Sequence, residues 1–141
     1  MTKLQSHDDP RAVLARLHSA MNRHDLDAFV ACFDEEYDSE QPVHPDRHFR
    51  GRRQVERNWA AMFAGLPDFR AEVLGSVVAG DVIWTEWRWT GTRADGSMLD
   101  ARGVTIFTIR HGRLASARLY MEDVEQGKGI DAAVASLAKG D

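Results

Sequence analysis

Residues 69–123 read FRAEVLGSVVAGDVIWTEWRWTGTRADGSMLDARGVTIFTIRHGRLASARLYMED, and the spacing of their apolar side chains decides the fold. Four runs, 69–78, 81–92, 98–110 and 113–123, carry apolar residues at alternate positions, the period of a strand with one buried face. Between them stand Ala79-Gly80-Asp81, Ala94-Asp95-Gly96 and His111-Gly112, where glycine supplies the positive φ of a tight hairpin. Strands joined by so few residues must be antiparallel neighbours. The second half of the chain is therefore a meander.

The first half is punctuated as helix. Asp9-Pro10 predicts an N-cap followed by proline at the first helical position. Val13, Leu14, Leu17, Ala20 and Met21 then form one apolar stripe, with Arg11, Arg16, His18 and Arg23 facing out. Asp25 predicts the cap of a shorter helix, whose Leu26, Phe29, Val30 and Phe33 share a side. A short strand over 36–43 stops at Pro42 and Pro45, and a polar loop runs on to Gly51. A third helix over 51–64 carries Val55, Trp59, Met62 and Phe63 on one side and is ended by Gly65 and Pro67. Residues 126–129, QGKG, release the chain into a last amphipathic segment over 130–137. The order predicts an α+β fold in which helices cover one face of a bent sheet and enclose a hollow. One domain over 1–141 is expected, with flexible tails at 1–8 and 138–141.

Composition narrows the function classes. Of 141 residues, 43% are hydrophobic and 28% charged, ordinary for a soluble globular protein. The net charge of −4 gives no basic surface for nucleic acid. No apolar run approaches the roughly 20 residues that cross a bilayer. The polar start, MTKLQSHDD, has no signal-type apolar region, so a cytoplasmic protein is expected. The lone Cys32 sits in an apolar helical pattern and reads as a small buried hydrophobe in a reducing compartment.

Period-two patterning assigns the two faces of the meander. The odd positions, Ile83, Thr85, Trp87 and Trp89, then Ala101, Gly103, Thr105, Phe107 and Ile109, then Ala115, Ala117, Leu119 and Met121, are placed on the concave side. Small Ala101, Gly103 and Ala117 there leave room beside Trp87, Trp89 and Phe107. The even face mixes Trp84, Val104, Ile106 and Tyr120 with Glu86, Arg88, Arg102, Arg118 and Glu122. Such a mixture suits a protein contact, and a homodimer through the outer sheet face is expected.

With its elements in this order, the chain resembles the SnoaL-like, nuclear-transport-factor-2-like superfamily. The resemblance is carried by Asn22-Arg-His-Asp-Leu-Asp, by Phe49-Arg-Gly-Arg and by Gly112-Arg-Leu with Arg118-Leu-Tyr-Met-Glu, and it covers almost the whole chain. It implies a cone-shaped, curved mixed or antiparallel sheet with three N-terminal helices on its concave face, a cystatin-like α+β barrel. It also implies a hydrophobic pocket at the wide end, often in a dimer. The catalytic sets of known members do not carry over. Where ketosteroid isomerases have an oxyanion-binding tyrosine, a basic aspartate and a protonated aspartate, this chain has Leu17, Gln41 and Thr105. The arginine and two aspartates of limonene epoxide hydrolase fall at Trp87, Trp89 and Leu119, and SnoaL-type cyclases also use an aspartate at the Leu119 position. The two histidines that scytalone dehydratase needs in its sheet are missing here.

The tyrosine and asparagine of the epoxide hydrolase fall at Asp38 and Glu40. Two carboxylates at i and i+2 on a strand share a side, and facing an apolar pocket they would have raised pKa values suited to acid/base work. Asp38 and Glu40 are therefore the candidate catalytic pair. The alternative is that they cap loops, pair with Arg47, Arg50 or Arg53, or face water. Tyr37, of opposite parity, is assigned to the outer side.

Leu17, Trp59, Phe63, Trp87, Trp89, Thr105, Phe107 and Leu119 are the candidate wall for a small apolar or aromatic ligand. The loop His44-Pro-Asp-Arg-His48 reads as a rim segment rather than a metal site, and His7, His18, His24 and His111 read as exposed. No phosphate loop, nucleophile elbow or paired-cysteine motif is present, so no cofactor is expected. Two functions remain open: a cofactor-independent cyclase, dehydratase, isomerase or hydrolase using a carboxylate, or a non-catalytic binder or dimeric accessory protein.

Overall fold

The computed structural model describes residues 9–140. Helices α1 (Pro10–Arg23) and α2 (Leu26–Ala31) lead into strand β1 (Phe33–Glu40). A single 3₁₀ turn (Pro45–Arg47) and the two-residue strand β2 (Phe49–Arg50) precede helix α3 (Arg52–Gly65). The meander follows as β3 (Arg70–Ala79), β4 (Val82–Thr92), β5 (Met98–Arg110) and β6 (Arg113–Asp123), and α4 (Ile130–Lys139) ends the chain. The expected 138–141 tail is thus helical as far as Lys139, whereas 1–8 lie outside the described residues.

Local chemistry explains the boundaries. The Asp9 carboxylate accepts from Arg11 N–H at 3.0 Å, and that of Asp25 from Ala28 N–H at 3.1 Å, so each side chain satisfies a donor the helix cannot. At the β5–β6 hairpin both turn residues, His111 and Gly112, have positive φ (54° and 74°), the twist a two-residue hairpin needs.

The strands form one curved sheet in the order β2-β1-β6-β5-β4-β3. Only β1 with β6 is parallel, which makes the sheet mixed. Helices α1, α2 and α3 cover the concave face, where Val13, Leu17, Met21 and Phe29 meet Ile83, Trp87 and Phe107 in one core. Register places a small residue across from each large ring: Gly103 faces Trp87, Ala101 faces Trp89 and Ala117 faces Phe107. A Cβ on Gly103 would stand 1.9 Å from the Tyr120 carbonyl oxygen, so that strand crossing excludes any side chain.

Two expectations are corrected here. Strand β1 begins at Phe33, not at 36, and its buried members are Phe33, Tyr37 and Ser39, while Asp38 and Glu40 lie on the other face. Tyr37 is 3% exposed and packs edge-on to Phe33 at 4.8 Å. Burying that ring contributes about 1.5–3 kcal/mol, whereas burying two unpaired carboxylates costs several, so the parity follows the rings.

His18 and His24 are not exposed either. The His18 Nε2–H donates to the Ala71 carbonyl at 2.7 Å, and His24 Nε2–H to that of Phe69 at 2.9 Å. With Asn22, which bonds both N–H and C=O of Ala71, they fasten α1 to β3. His111 is exposed, and His7 lies outside the described residues.

Helix α4 stands apart. Ile130, Val134 and Leu137, spaced along one side, are 76%, 53% and 84% exposed. Among the described residues no helix is long and apolar enough to cross a membrane.

Candidate functional site

Between the helices and the sheet lies a cavity of about 200 Å³. Its base is the middle of β4 and β5. Trp87 is fully buried there and its indole N–H donates to Thr105 Oγ1 at 2.8 Å. Leu17 and Met21 come down from α1, Phe29 from α2, and Val55, Trp59 and Met62 from α3. Tyr37 and Ser39 on β1, Gln41 after it, Phe49 on β2 and Leu119 on β6 form the side away from β3.

Seven of the eight expected wall residues, Leu17, Trp59, Trp87, Trp89, Thr105, Phe107 and Leu119, line this space. The eighth, Phe63, does not. It sits behind Trp59, stacked on His24 at 4.7 Å and edge-on to Trp59 and Phe69. Four residues advance a helix by about 400°, so Phe63 is turned about 40° past Trp59, on the side away from Val55 and Met62, which line the cavity.

The expected catalytic pair is not in the cavity. Asp38 points to the outer face, where His48 Nε2 approaches it at 2.6 Å and Arg50 Nε at 3.9 Å. Glu40 is exposed, in register with Arg118 of β6. The two histidines of the rim loop go to different carboxylates, His48 to Asp38 and His44 to Glu122 at 2.9 Å. These links tie the 41–48 segment to the back of the sheet.

Sequence reasoning missed the side chains that take the place of that pair. Tyr37, Ser39 and Gln41 share the inward parity of β1 and its extension, and with Asn58 and Thr105 they are polar residues of the cavity lining. The signal was present: Phe33 and Tyr37 are the strand's two aromatic residues and share one parity.

Among the described residues, Tyr37 is the one titratable group lining the cavity. Burial drives its pKa from 10.0 up to about 12, against an opposing hydrogen bond from Ser39. It is therefore a neutral phenol at any ordinary pH, a donor rather than a base. The remaining polar groups are neutral too: Gln41 Oε1 accepts from Arg47 at 2.9 Å, and Asn58 Oδ1 from Gln54 at 2.7 Å. Cys32 lies outside the cavity, its pKa raised by burial, with Sγ 3.4 Å from the Ala28 carbonyl.

Comparison with known proteins agrees with this architecture. The SnoaL-like domain model matches residues 14–117, well over half of the chain. A candidate SnoaL-like polyketide cyclase from Jannaschia sp. CCS1 superposes with a TM-score of 0.70 at 20% identity, over 96% of this chain and 95% of that one. IdmH, a candidate polyketide cyclase from Streptomyces antibioticus, gives 0.70 at 21% identity, over 81% and 92%. A protein with a ketosteroid isomerase-like fold from Catenulispora acidiphila, solved with trimethylamine, gives 0.67 at 16%, over 77% and 83%. At these identities the likeness is one of fold. No curated protein matches the chain.

Proposed function

Since the chain belongs to the SnoaL-like domain family, we propose that its cavity binds a small, uncharged, largely apolar molecule. One observation carries this reading: the wall is aromatic and aliphatic, with neutral hydrogen-bonding groups and no carboxylate, imidazole, amine or guanidinium among the described residues. A charged ligand would lose its hydration there without a counter-ion, at a cost of several kcal/mol. A flat hydrocarbon skeleton would instead stack on Trp59, Trp87 and Trp89, exchanging water for ring contacts.

A second reading is a cofactor-independent cyclase or isomerase. It is favoured by the Tyr37–Ser39 pair, because a phenol held protonated can donate to an oxygen that gains charge during a reaction. Shape and hydrogen bonding would carry such catalysis, not the Asp38 and Glu40 carboxylates.

Calorimetric titration with the bicyclic hydrocarbon indane tests the binding reading. Saturable binding by the native chain, abolished in a folded Leu119→Trp variant that fills the space, is expected. Binding that survives Leu119→Trp, or never occurs, contradicts it.

We further propose that the outer sheet face pairs two copies of the chain. Val77 and Trp84 stand side by side across β3 and β4, 64% and 47% exposed, next to the buried Ile106 of β5. Equilibrium sedimentation is expected to give a dimer that Trp84→Glu splits; a native monomer contradicts the proposal.

A further inference from the structure

The two ends of the cavity differ. At the base Trp87 and Thr105 are fully buried and hydrogen-bonded to each other. At the mouth stand two carboxamides, Gln41, half-buried, and Asn58, exposed. Gln41 continues the inward parity of Tyr37 and Ser39, and Asn58 falls in line with Val55 and Met62 along α3, all of them cavity lining.

Both amides are turned the same way. A guanidinium donates and cannot accept, so whatever faces it is an oxygen. Arg47 donates to Gln41 Oε1 at 2.9 Å, which leaves the Gln41 NH2 as the free end. Arg57 donates to Gln54 Oε1 at 2.6 Å, and the Gln54 NH2 then donates to Asn58 Oδ1 at 2.7 Å, so the Asn58 NH2 is free as well. Neither NH2 meets an acceptor among the described residues, and both are open to an incoming molecule. Asn58 is exposed, and the buried side-chain atoms without a partner are Thr85 Oγ1 and Trp89 Nε1, so Gln41 Nε2 is accessible. The rim that carries Arg47 is itself fastened, His44 to Glu122 at 2.9 Å and His48 to Asp38 at 2.6 Å. The orientation of the Gln41 amide is thus set before a ligand arrives.

We propose that the NH2 groups of Gln41 and Asn58 are the polar recognition pair of the cavity mouth, and that the ligand is an uncharged ring compound that enters apolar end first and leaves a carbonyl oxygen at the mouth to accept from them. The inference rests on the binding reading above and names the polar end of its ligand. A carbonyl accepts and does not donate, which matches amides whose own oxygens are already engaged. It brings no charge to a wall without cations, and the rings deeper in the cavity take its hydrocarbon part.

The test compares 1-indanone with indane, which differ by that oxygen, on the native chain and on the double variant Gln41→Met with Asn58→Leu, which keeps the size of each side chain and removes its NH2. The ratio of ketone to hydrocarbon affinity, measured by calorimetry, is expected to fall about tenfold in the variant, the factor that corresponds to one net hydrogen bond. A second readout needs no variant. In the native protein the side-chain NH2 proton resonances of Gln41 and Asn58 are expected to move downfield with 1-indanone and not with indane. If both compounds bind, an unchanged ratio, or amide resonances that answer both compounds alike, overturns the donor assignment while the binding reading stands. If neither compound binds the native chain, the binding reading fails and the donor assignment with it.

Discussion

Trp87 and Trp89 stand two residues apart on one strand and one face, yet they belong to different regions of the molecule. Around Trp87 the interior is finished: the ring is fully buried, its N–H is paired with Thr105, and the bare backbone of Gly103 lies opposite. Around Trp89 it is not: the ring is partly exposed to the cavity and its N–H is unpaired. Period-two geometry makes both rings point inward, but what they meet there decides whether a ring is core or site. A closed region contributes stability and tolerates little change. An open one has room for a ligand.

The contrast is broken most severely at Gly103. Gly103→Ala puts a Cβ 1.9 Å from the Tyr120 carbonyl, so β5 and β6 must part. A loss of about 4 kcal/mol in urea unfolding is expected. A loss below about 1 kcal/mol would mean that the closed region yields easily.

Next in size is a pH effect at Tyr37. Its folded-state pKa, about 12, exceeds the ordinary 10.0. Below pH 10 both states keep the phenolic proton and no slope arises. Above it the unfolded chain loses the proton first, so stability falls as pH rises toward 12, by roughly 3 kcal/mol in all. Tyr37→Phe is expected to remove that part of the alkaline slope in unfolding curves, and an unchanged slope would place the phenol in water.

The tryptophans themselves give a sharper pair. Trp87→Phe strands Thr105 and shrinks a filled site, at an expected cost of about 2 kcal/mol. Trp89→Phe removes a donor that has no partner and is expected to cost about 0.5 kcal/mol or less. Equal losses in thermal unfolding would erase the distinction.

The smallest effect belongs to the outer face of β1. Asp38→Asn with Glu40→Gln should move stability by less than about 0.5 kcal/mol and leave indane binding as it was, because exposed ion pairs contribute little. A loss of binding would return those carboxylates to the site.

How much of this was legible in the sequence follows from how each element is specified. The bounds of β5 and β6 and the three glycine turns match the reading because alternation and positive-φ residues act locally. The concave parity of β4 and β5 was legible for the same reason. Strand β1 was not, because its pattern, FDEEYDSE, holds two rings among charges and its parallel pairing with β6 shifts register between Phe33 and Asp38. Which parity is buried is then settled by Tyr37 packing on Phe33 and Phe49, a contact that requires β2 to be in place. Missing that contact reversed Asp38 and Glu40 with Tyr37 and Ser39, and so exchanged a charged candidate site for a neutral one. Phe63 shows the same limit on a helix: apolar spacing finds the buried side but not which ring reaches the cavity.

The chain carries its own control for the central claim, that a neutral, ring-lined hollow under the helices receives an apolar ligand. Of its four tryptophans, Trp59, Trp87 and Trp89 line that hollow and Trp84 stands on the outer face. Titrating indane while following the four indole N–H resonances should shift the first three saturably and leave Trp84 still. Silence from all four, or movement of Trp84 alone, would contradict the account.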